Sequence, residues 1–502
     1  VSEGSFCLVL HSHLPWLAHH GAWPVGEEWL YQAWAHSYLP VVDLVERLAA
    51  EGFADLLTLG VTPVLAAQLD DPHCLRGVHD WLGDWQLRAH GAASRLPDLA
   101  AREHRAARWA LETFETRWRH GFSPVLRRLV DAGVVEPLGG PATHTFQPLL
   151  DPRLRAFALE TGLRDTALRI GTRPKGIWAP ECAYAPGMEE GYAAAGVERF
   201  LVDGPALRGD TALARPVGDT DVLAFGRDLE VSYRVWSPKA GYPGDPAYRD
   251  FHTYDHASGL KPSRVTGTHI APHDKKPYEP ERALLAVRKH ALDFVDTVVT
   301  RLRELKARHG RPSLVVAAYD TELYGHWWHE GPLWLEAVLR ALPEAGVRVT
   351  TLRGAVEAGH VGPAVHLPAS SWGSGKDWRV WHGPRVADIV AGNEAVQRAL
   401  LALPASADRD PVADQAVREG LLALASDWAF MVTKDSAADY ARHRAEIHGD
   451  RFAELVAAAR HGRGRARAAD LRRVDGPFGH LDARDLTRRD SAAEDEERRC
   501  AS

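Results

Sequence analysis

Short apolar runs that end in polar or turn residues alternate along this chain with stretches of helical periodicity, and this alternation limits its fold more than any other feature. Ser5-Phe6-Cys7-Leu8-Val9-Leu10 reads as a buried strand, 40–48 as a helix, and 56–63 as a second strand stopped by Gly60 and Pro63. Strand-like runs return at 134–138, 176–180, 200–203 and 314–319, with helical stretches at 152–165 and 280–309 between them. A repeated strand-helix order specifies an α/β fold with a mostly parallel sheet, closed or open.

Two regions depart from this order. From about 75 to 132 no strand is visible, and Trp81, Trp85, Leu87, Trp109, Leu111 and Phe114 recur at helical intervals, which predicts a helical insertion. Beyond about 380 the pattern is helical again, over 386–403, 412–430 and 437–459. The stretch 462–502 is rich in charge and poor in apolar residues, so a disordered tail is expected there.

Composition removes whole classes of function. The 60 Lys plus Arg against 67 Asp plus Glu give a net charge of −7, so no global positive field gathers nucleic acid. No run approaches the roughly 18 apolar residues of a membrane span. The four cysteines, Cys7, Cys74, Cys182 and Cys500, are scattered without metal or disulfide spacing, which makes a reducing cytoplasm the simplest home. The 17 tryptophans outnumber the 13 phenylalanines and the 12 tyrosines, and flat indole faces suit sugar rings.

Two strand ends carry carboxylates in an aromatic setting. Gly176-Ile177-Trp178-Ala179-Pro180-Glu181 is an apolar strand that stops at proline and presents Glu181. Val315-Val316-Ala317-Ala318-Tyr319-Asp320 ends in Asp320 amid Glu322, Tyr324, His326, Trp327 and Trp328. The first strand delivers His11-Ser12-His13-Leu14-Pro15-Trp16 to the same kind of position, where parallel barrels keep their chemistry. A carboxylate nucleophile with a carboxyl acid/base about 5–5.5 Å away is the equipment of a retaining glycosidic site. The same His-x-His pair with Asp320 or His326 could instead hold zinc, as in a carbohydrate deacetylase.

Several ordered motifs resemble glycoside hydrolase family 57, and within it the 1,4-α-glucan branching enzymes. These are His11 to Pro15, Gly139-Gly140-Pro141-Ala142-Thr143-His144, Trp178 to Glu181, Tyr319 to Trp328, Ser370-Ser371-Trp372-Gly373 and Ser426-Asp427-Trp428-Ala429-Phe430. The resemblance implies a (β/α)7 barrel over 1–74 and 133–365, an inserted helical domain over 75–132 and a C-terminal helical domain over 366–461. It implies Glu181 as nucleophile, Asp320 as general acid/base, and no cofactor or metal. Sugar contacts would come from His11, His13, His144, Arg227, Trp236, Gly244, Trp372, Trp381, Asp427 and Trp428. The partners would be α-glucan donor and acceptor chains, with a monomer the simplest assembly.

One departure bears on the product. Branching members carry a longer loop before the segment matching Arg227, with a tyrosine over the cleft, whereas 203–221 here is compact and has none. Water exclusion separates transfer from hydrolysis. An α-1,4-glucan hydrolase or a 4-α-glucanotransferase is therefore the alternative within the family, with Tyr242 a candidate replacement shield.

Overall fold

The computed structural model describes residues 3–237 and 239–488. Among them lie β1 (Gly4–Ser12), β2 (Leu57–Val61), β3 (Val135–Gly139), β4 (Gly176–Ile177), β5 (Arg199–Asp203), β6 (Arg215–Pro216), β7 (Leu223–Arg227), β8 (Ser313–Asp320) and β9 (Val347–Val349). The sheet runs in the order β6-β7-β5-β4-β3-β2-β1-β8, with β9 added to β1. Every neighbouring pair is parallel except β6 with β7. The ring closes where the Asp228 N–H, just past β7, donates to Val316 O of β8 at 2.8 Å. Seven parallel strands, β1 to β5 with β7 and β8, thus enclose an α/β barrel one strand short of eight.

Side-chain alternation sets what reaches the mouth. Cys7 and Val9 of β1, Leu201 of β5, Phe225 of β7 and Leu314, Val316 and Ala318 of β8 pack together in the barrel interior. Phe6, Leu8, Leu10, Val315, Ala317 and Tyr319 belong to the outer core beneath the helices. Because strand side chains repeat every second residue, the next inward positions are His11, Asp203, Arg227 and Asp320. All four strands are parallel, so these groups emerge at one face.

The helical stretches fall largely where periodicity placed them, as Pro72–Gly91, Pro97–Thr113 and Ser123–Asp131, then Ala387–Leu401, Pro411–Ala423, Ser426–Lys434 and Ala438–Ala459. The stretch 239–279, read as barrel, is an excursion that leans on the first two of these helices and the loop between them, with Arg88 of the first donating to Ser258 O (3.0 Å). Arg95 pairs with Asp255 (2.9 Å) and Arg249 with Glu103 (2.7 Å).

The expected disordered tail is corrected over its first part. Arg465–Val474 and Ala483–Thr487 are helices, and Ala468, Leu471, Phe478, Leu481 and Leu486 are buried. The charge that suggested solvation is paired internally. Asp475 is fully buried, bonded to His20 Nε2 (2.6 Å) and to Arg451, and Gln415 Nε2 donates to its carbonyl (2.9 Å). The Trp16 indole N–H donates to Val474 O (3.0 Å), so this segment fastens the loop that leaves β1. Residues 489–502, including Cys500, lie outside the described residues. Leu471→Ala is expected to destabilise the protein by about 2–5 kcal/mol, as buried leucine truncations do. Denaturant unfolding measures it, and no change would mean the helix is not part of the cooperative core.

Candidate active site

Glu181 follows β4 on the turn Pro180–Cys182, with left-handed backbone at both Glu181 (φ 63°) and Cys182 (φ 48°). Such angles in non-glycine residues cost of order 1–3 kcal/mol each and persist only where neighbours enforce them. Here the enforcement is visible. The 370–372 loop is zipped to the turn by Tyr184 N–H to Ser370 O (3.0 Å), its reciprocal bond (3.0 Å), and Trp372 N–H to Glu181 O (2.8 Å). The same pairing aims the Trp372 indole N–H at Glu181 Oε2 (2.9 Å).

The other carboxylate oxygen is held from the C-terminal helices. Ser426 opens the helix Ser426–Lys434 and donates its hydroxyl to Glu181 Oε1 (2.8 Å). That hydroxyl has one proton, so His144 Nδ1, 2.8 Å away, is the protonated nitrogen that donates to Ser426 Oγ. His144 Nε2 then accepts from His11 Nε2 at 3.3 Å. The His11 ring stacks on Trp178, with centroids 4.3 Å apart, which braces β1 against the strand that leads to Glu181.

Asp320 ends β8 in register with His11 of β1. Among the described residues no donor is bonded to its carboxyl, and burial, then the Glu322 and Glu181 charges, hold it well above the usual carboxylate range against the pull of Arg227. Burial also raises Glu181, but the Trp372 and Ser426 donors oppose that by favouring its charged form. Burial and neighbouring charges thus favour the neutral form of Asp320, while two donors favour the charged form of Glu181, a division that suits an acid and a nucleophile. The Glu181 charge acts on Asp320, while the charges acting on Glu181 are those of Asp427 and His13.

The remaining polar wall is a chain of ion pairs. Arg227 Nε donates to Asp203 Oδ1 (2.8 Å), Lys376 Nζ meets Asp203 Oδ2 (2.6 Å), and the Arg227 guanidinium lies 5.2 Å from the centre of the Trp372 ring. His13 Nε2 is bonded to Asp427 Oδ1 (2.9 Å) and its Nδ1 to Thr62 Oγ1 (2.8 Å). Burial pushes the His13 imidazole down, but the Asp427 carboxylate bonded to it, with Glu181 and Glu322, outweighs burial and raises it.

Residues 7–367 match glycosyl hydrolase family 57, and residues 390–486 match the C-terminal region of 1,4-alpha-glucan branching enzymes. The chain belongs to glycosyl hydrolase family 57. It is 60% identical to a probable 1,4-alpha-glucan branching enzyme of Mycobacterium tuberculosis, over 96% of this chain and 98% of that one. It is 33% identical to a 1,4-alpha-glucan branching enzyme of Thermococcus kodakarensis, over 90% of this chain and 73% of that one. The backbone matches a family 57 branching enzyme from Pyrococcus horikoshii with a TM-score of 0.92 at 29% identity, covering 97% of each chain. It matches an alpha-amylase from Thermotoga maritima with a TM-score of 0.86 at 26% identity, covering 97% of this chain and 99% of that one.

Set in this family 57 barrel, the residues expected to touch sugar divide into three groups. His11, His13, His144, Arg227, Trp372 and Asp427 belong to the connected set around Glu181 described above, with Asp320 in register beside His11. Trp381 and Trp428 do not offer a face to a sugar. Trp381 is 2% exposed and stacks on Phe146 (centroids 4.8 Å), seated against Gly373, where a Cβ would come within 2.7 Å of its ring. Trp428 is fully buried, with its N–H on Leu422 O (3.0 Å) and Arg444 over its ring (4.8 Å). Their indoles form the packing behind Ser426, and the sequence motif alone did not distinguish wall from backing. Trp236 is 38% exposed beside Trp327, which is 39% exposed. Gly244 lies exposed at the end of the turn Tyr242–Gly244.

Tyr242, the candidate shield, is engaged by other groups: its hydroxyl donates to Asp293 Oδ2 (2.5 Å) and its ring stacks on His290 (centroids 4.5 Å). The His-x-His zinc arrangement is also not formed. His326 packs near His36 and Phe251, and His13 has both ring nitrogens in hydrogen bonds. His13, His144 and Asp427 do place one candidate ligand atom each within 4.8 Å of one another. The two imidazoles, however, stack at 3.7 Å with planes 13° apart, so their in-plane lone pairs run side by side and do not converge on one ion.

Ser426, Glu322, Tyr38, Thr62 and Lys376 are the parts of the site that sequence reading passed over. Ser426 and Glu322 stood inside quoted motifs, whereas Tyr38 and Thr62 carried no signal. The Trp372 N–H on the Glu181 carboxylate changes what its loss should do. A hydrogen bond to a charged group is worth about 1.5–3 kcal/mol, so Trp372→Phe is expected to lower kcat/KM by up to about 10- to 150-fold, with a loss in kcat. A change confined to KM would show that the ring serves only to bind glucan.

Proposed function

We propose that this protein is a retaining 1,4-α-glucan branching enzyme. Glu181 attacks the anomeric carbon of an α-1,4-linked glucan as the C1–O bond breaks, and Asp320 gives its proton to the departing 4-oxygen. The glycosyl ester on Glu181 is then attacked by the 6-hydroxyl of an acceptor chain, whose proton passes to Asp320 as the ester bond breaks. Two inversions at C1 give an α-1,6 branch and regenerate both carboxyls.

The observation that carries this reading is the origin of the groups that hold Glu181. Ser426 and Asp427 come from the segment that matches the branching-enzyme C-terminal region, and one bonds the nucleophile while the other bonds His13. That region therefore shapes the reacting centre, in line with the 60% identical relative being named as a branching enzyme.

Hydrolysis is the second reading. The segment after β5 is a short turn, Gly204–Leu207, leading to β6, and with Tyr242 tied to Asp293 it offers no tyrosine over the cleft. Tyr233, 38% exposed, has its ring centre 6.0 Å from the Arg227 guanidinium. Incubation with amylose followed by debranching and linkage analysis decides between the two. New α-1,6 linkages without a matching rise in reducing ends are expected, and reducing ends alone would establish hydrolysis. The substrate is a neutral α-glucan, and the reaction as drawn uses only protein groups. We place the protein in the cytoplasm, where Cys7, Cys74 and Cys182, all buried free thiols, stay reduced. Among the described residues no helix is long and apolar enough to cross a membrane.

A further inference from the structure

Glu322 has no task in the chemistry above, yet its carboxyl is buried at the barrel mouth two residues beyond Asp320. Taking a carboxyl out of water costs several kcal/mol unless its surroundings compensate. The compensation is specific: Glu322 Oε1 accepts from the Tyr38 hydroxyl (2.5 Å) and from the backbone N–H of His13 (2.9 Å).

Three elements fix this carboxyl in place. Tyr38 ends the π-helical turn Trp34–Tyr38, and Ser37 of that turn donates to Thr321 O (2.8 Å). Ser12, at the end of β1, is bonded to Thr321 Oγ1 (2.7 Å). Gly325 (φ 101°) lies so close to the π turn that a Cβ there would fall 1.9 Å from His36 O. The turn Thr321–Leu323 is therefore pinned on both sides, and the spacing between Asp320 and Glu322 is set by rigid neighbours. The charged and titratable groups around the pair are Glu181 and Arg227 towards Asp320, and Tyr38 and His13 towards Glu322, with Asp427 behind His13.

We infer that Glu322 is a positioning residue for the acid/base: a fixed carboxylate beside Asp320 that keeps the Asp320 proton in place until the leaving oxygen takes it, and that makes Asp320 a stronger base towards the acceptor hydroxyl. This rests on the reading of Asp320 as acid/base. Like charges at close range disfavour a second ionisation, and the two groups titrate as a pair. Burial lifts Glu322 to about 7, with the Tyr38 and His13 bonds opposing, and Glu322 follows burial among the causes that raise Asp320. An ionised Glu322 makes loss of the Asp320 proton harder and so carries it to higher pH.

The test is the pH profile of kcat/KM, whose alkaline limb reports loss of the Asp320 proton in the free enzyme. Glu322→Gln keeps an acceptor for Tyr38 and His13 but removes the charge, so the limb is expected to move to lower pH. Tyr38→Phe removes the donor that favours ionised Glu322 and should move the limb the same way by less. A purely structural role would lower kcat or stability and leave the limb where it is. An unmoved limb in Glu322→Gln overturns the inference, and if that variant does not fold, an unmoved limb in Tyr38→Phe does so. Asp320→Asn separates the two levels: wild-type turnover in that variant defeats the acid/base reading itself, whereas lost turnover there with an unmoved limb in the Glu322 variant removes only the role of Glu322.

Discussion

Glu181→Gln is expected to lower turnover on amylose by at least about 10³-fold, because covalent catalysis is lost with the nucleophilic oxygen. The substitution is nearly isosteric: the amide oxygen can accept from the Trp372 N–H while the amide NH2 donates to the Ser426 hydroxyl oxygen, so the turn should hold its shape. Stability should not fall. The wild-type side chain buries a carboxyl at a left-handed turn, and exchanging it for a neutral amide removes the cost of dehydrating a charge. A melting temperature at or above that of the wild type, with turnover lost, is the combined expectation. Near-normal turnover would remove the nucleophile assignment.

Asp320→Asn should match that loss on amylose, by at least about 10³-fold, since the leaving oxygen loses its acid and the acceptor its base. The two variants part company on a glycoside with a good leaving group. Such a substrate needs no acid, so the Asp320 variant should form the glycosyl-enzyme and stall there, and azide should release it as an α-linked product. The Glu181 variant should form no ester and gain nothing from azide in this way. Equal behaviour of the two variants would mean that the roles are not divided as the electrostatics of the site divide them.

Much of this was legible before any coordinates. Period-two alternation in β1 and β8 places His11 and Asp320 on the inward face, and the proline after Ala179 stops β4 where Glu181 is needed. The elements that escaped sequence reading did so for physical reasons. β7 is five residues, and its apolar run Val222-Leu223-Ala224-Phe225 follows turn residues so closely that it resembled a loop. The helix Arg465–Val474 carries only Ala468 and Leu471 inward, too few to show a period against its arginines. Trp381 and Trp428 stand in sugar-site motifs but pack behind Ser426, because an indole is equally suited to either side of a binding wall. Glu322 was hidden by its neighbour, since a motif with a catalytic carboxylate gives no separate signal for a second one that touches only protein.

The central claim is that Glu181 becomes covalently bonded to sugar while Asp320 handles the proton. It is tested most directly by trapping the intermediate with a fluorinated α-glucosyl donor, which forms the ester but releases it slowly, and mapping the added mass by peptide sequencing. The label is expected on Glu181, in full stoichiometry, and absent in Glu181→Gln. A label on another carboxylate, or turnover with inverted configuration and no labelled peptide, would contradict the account.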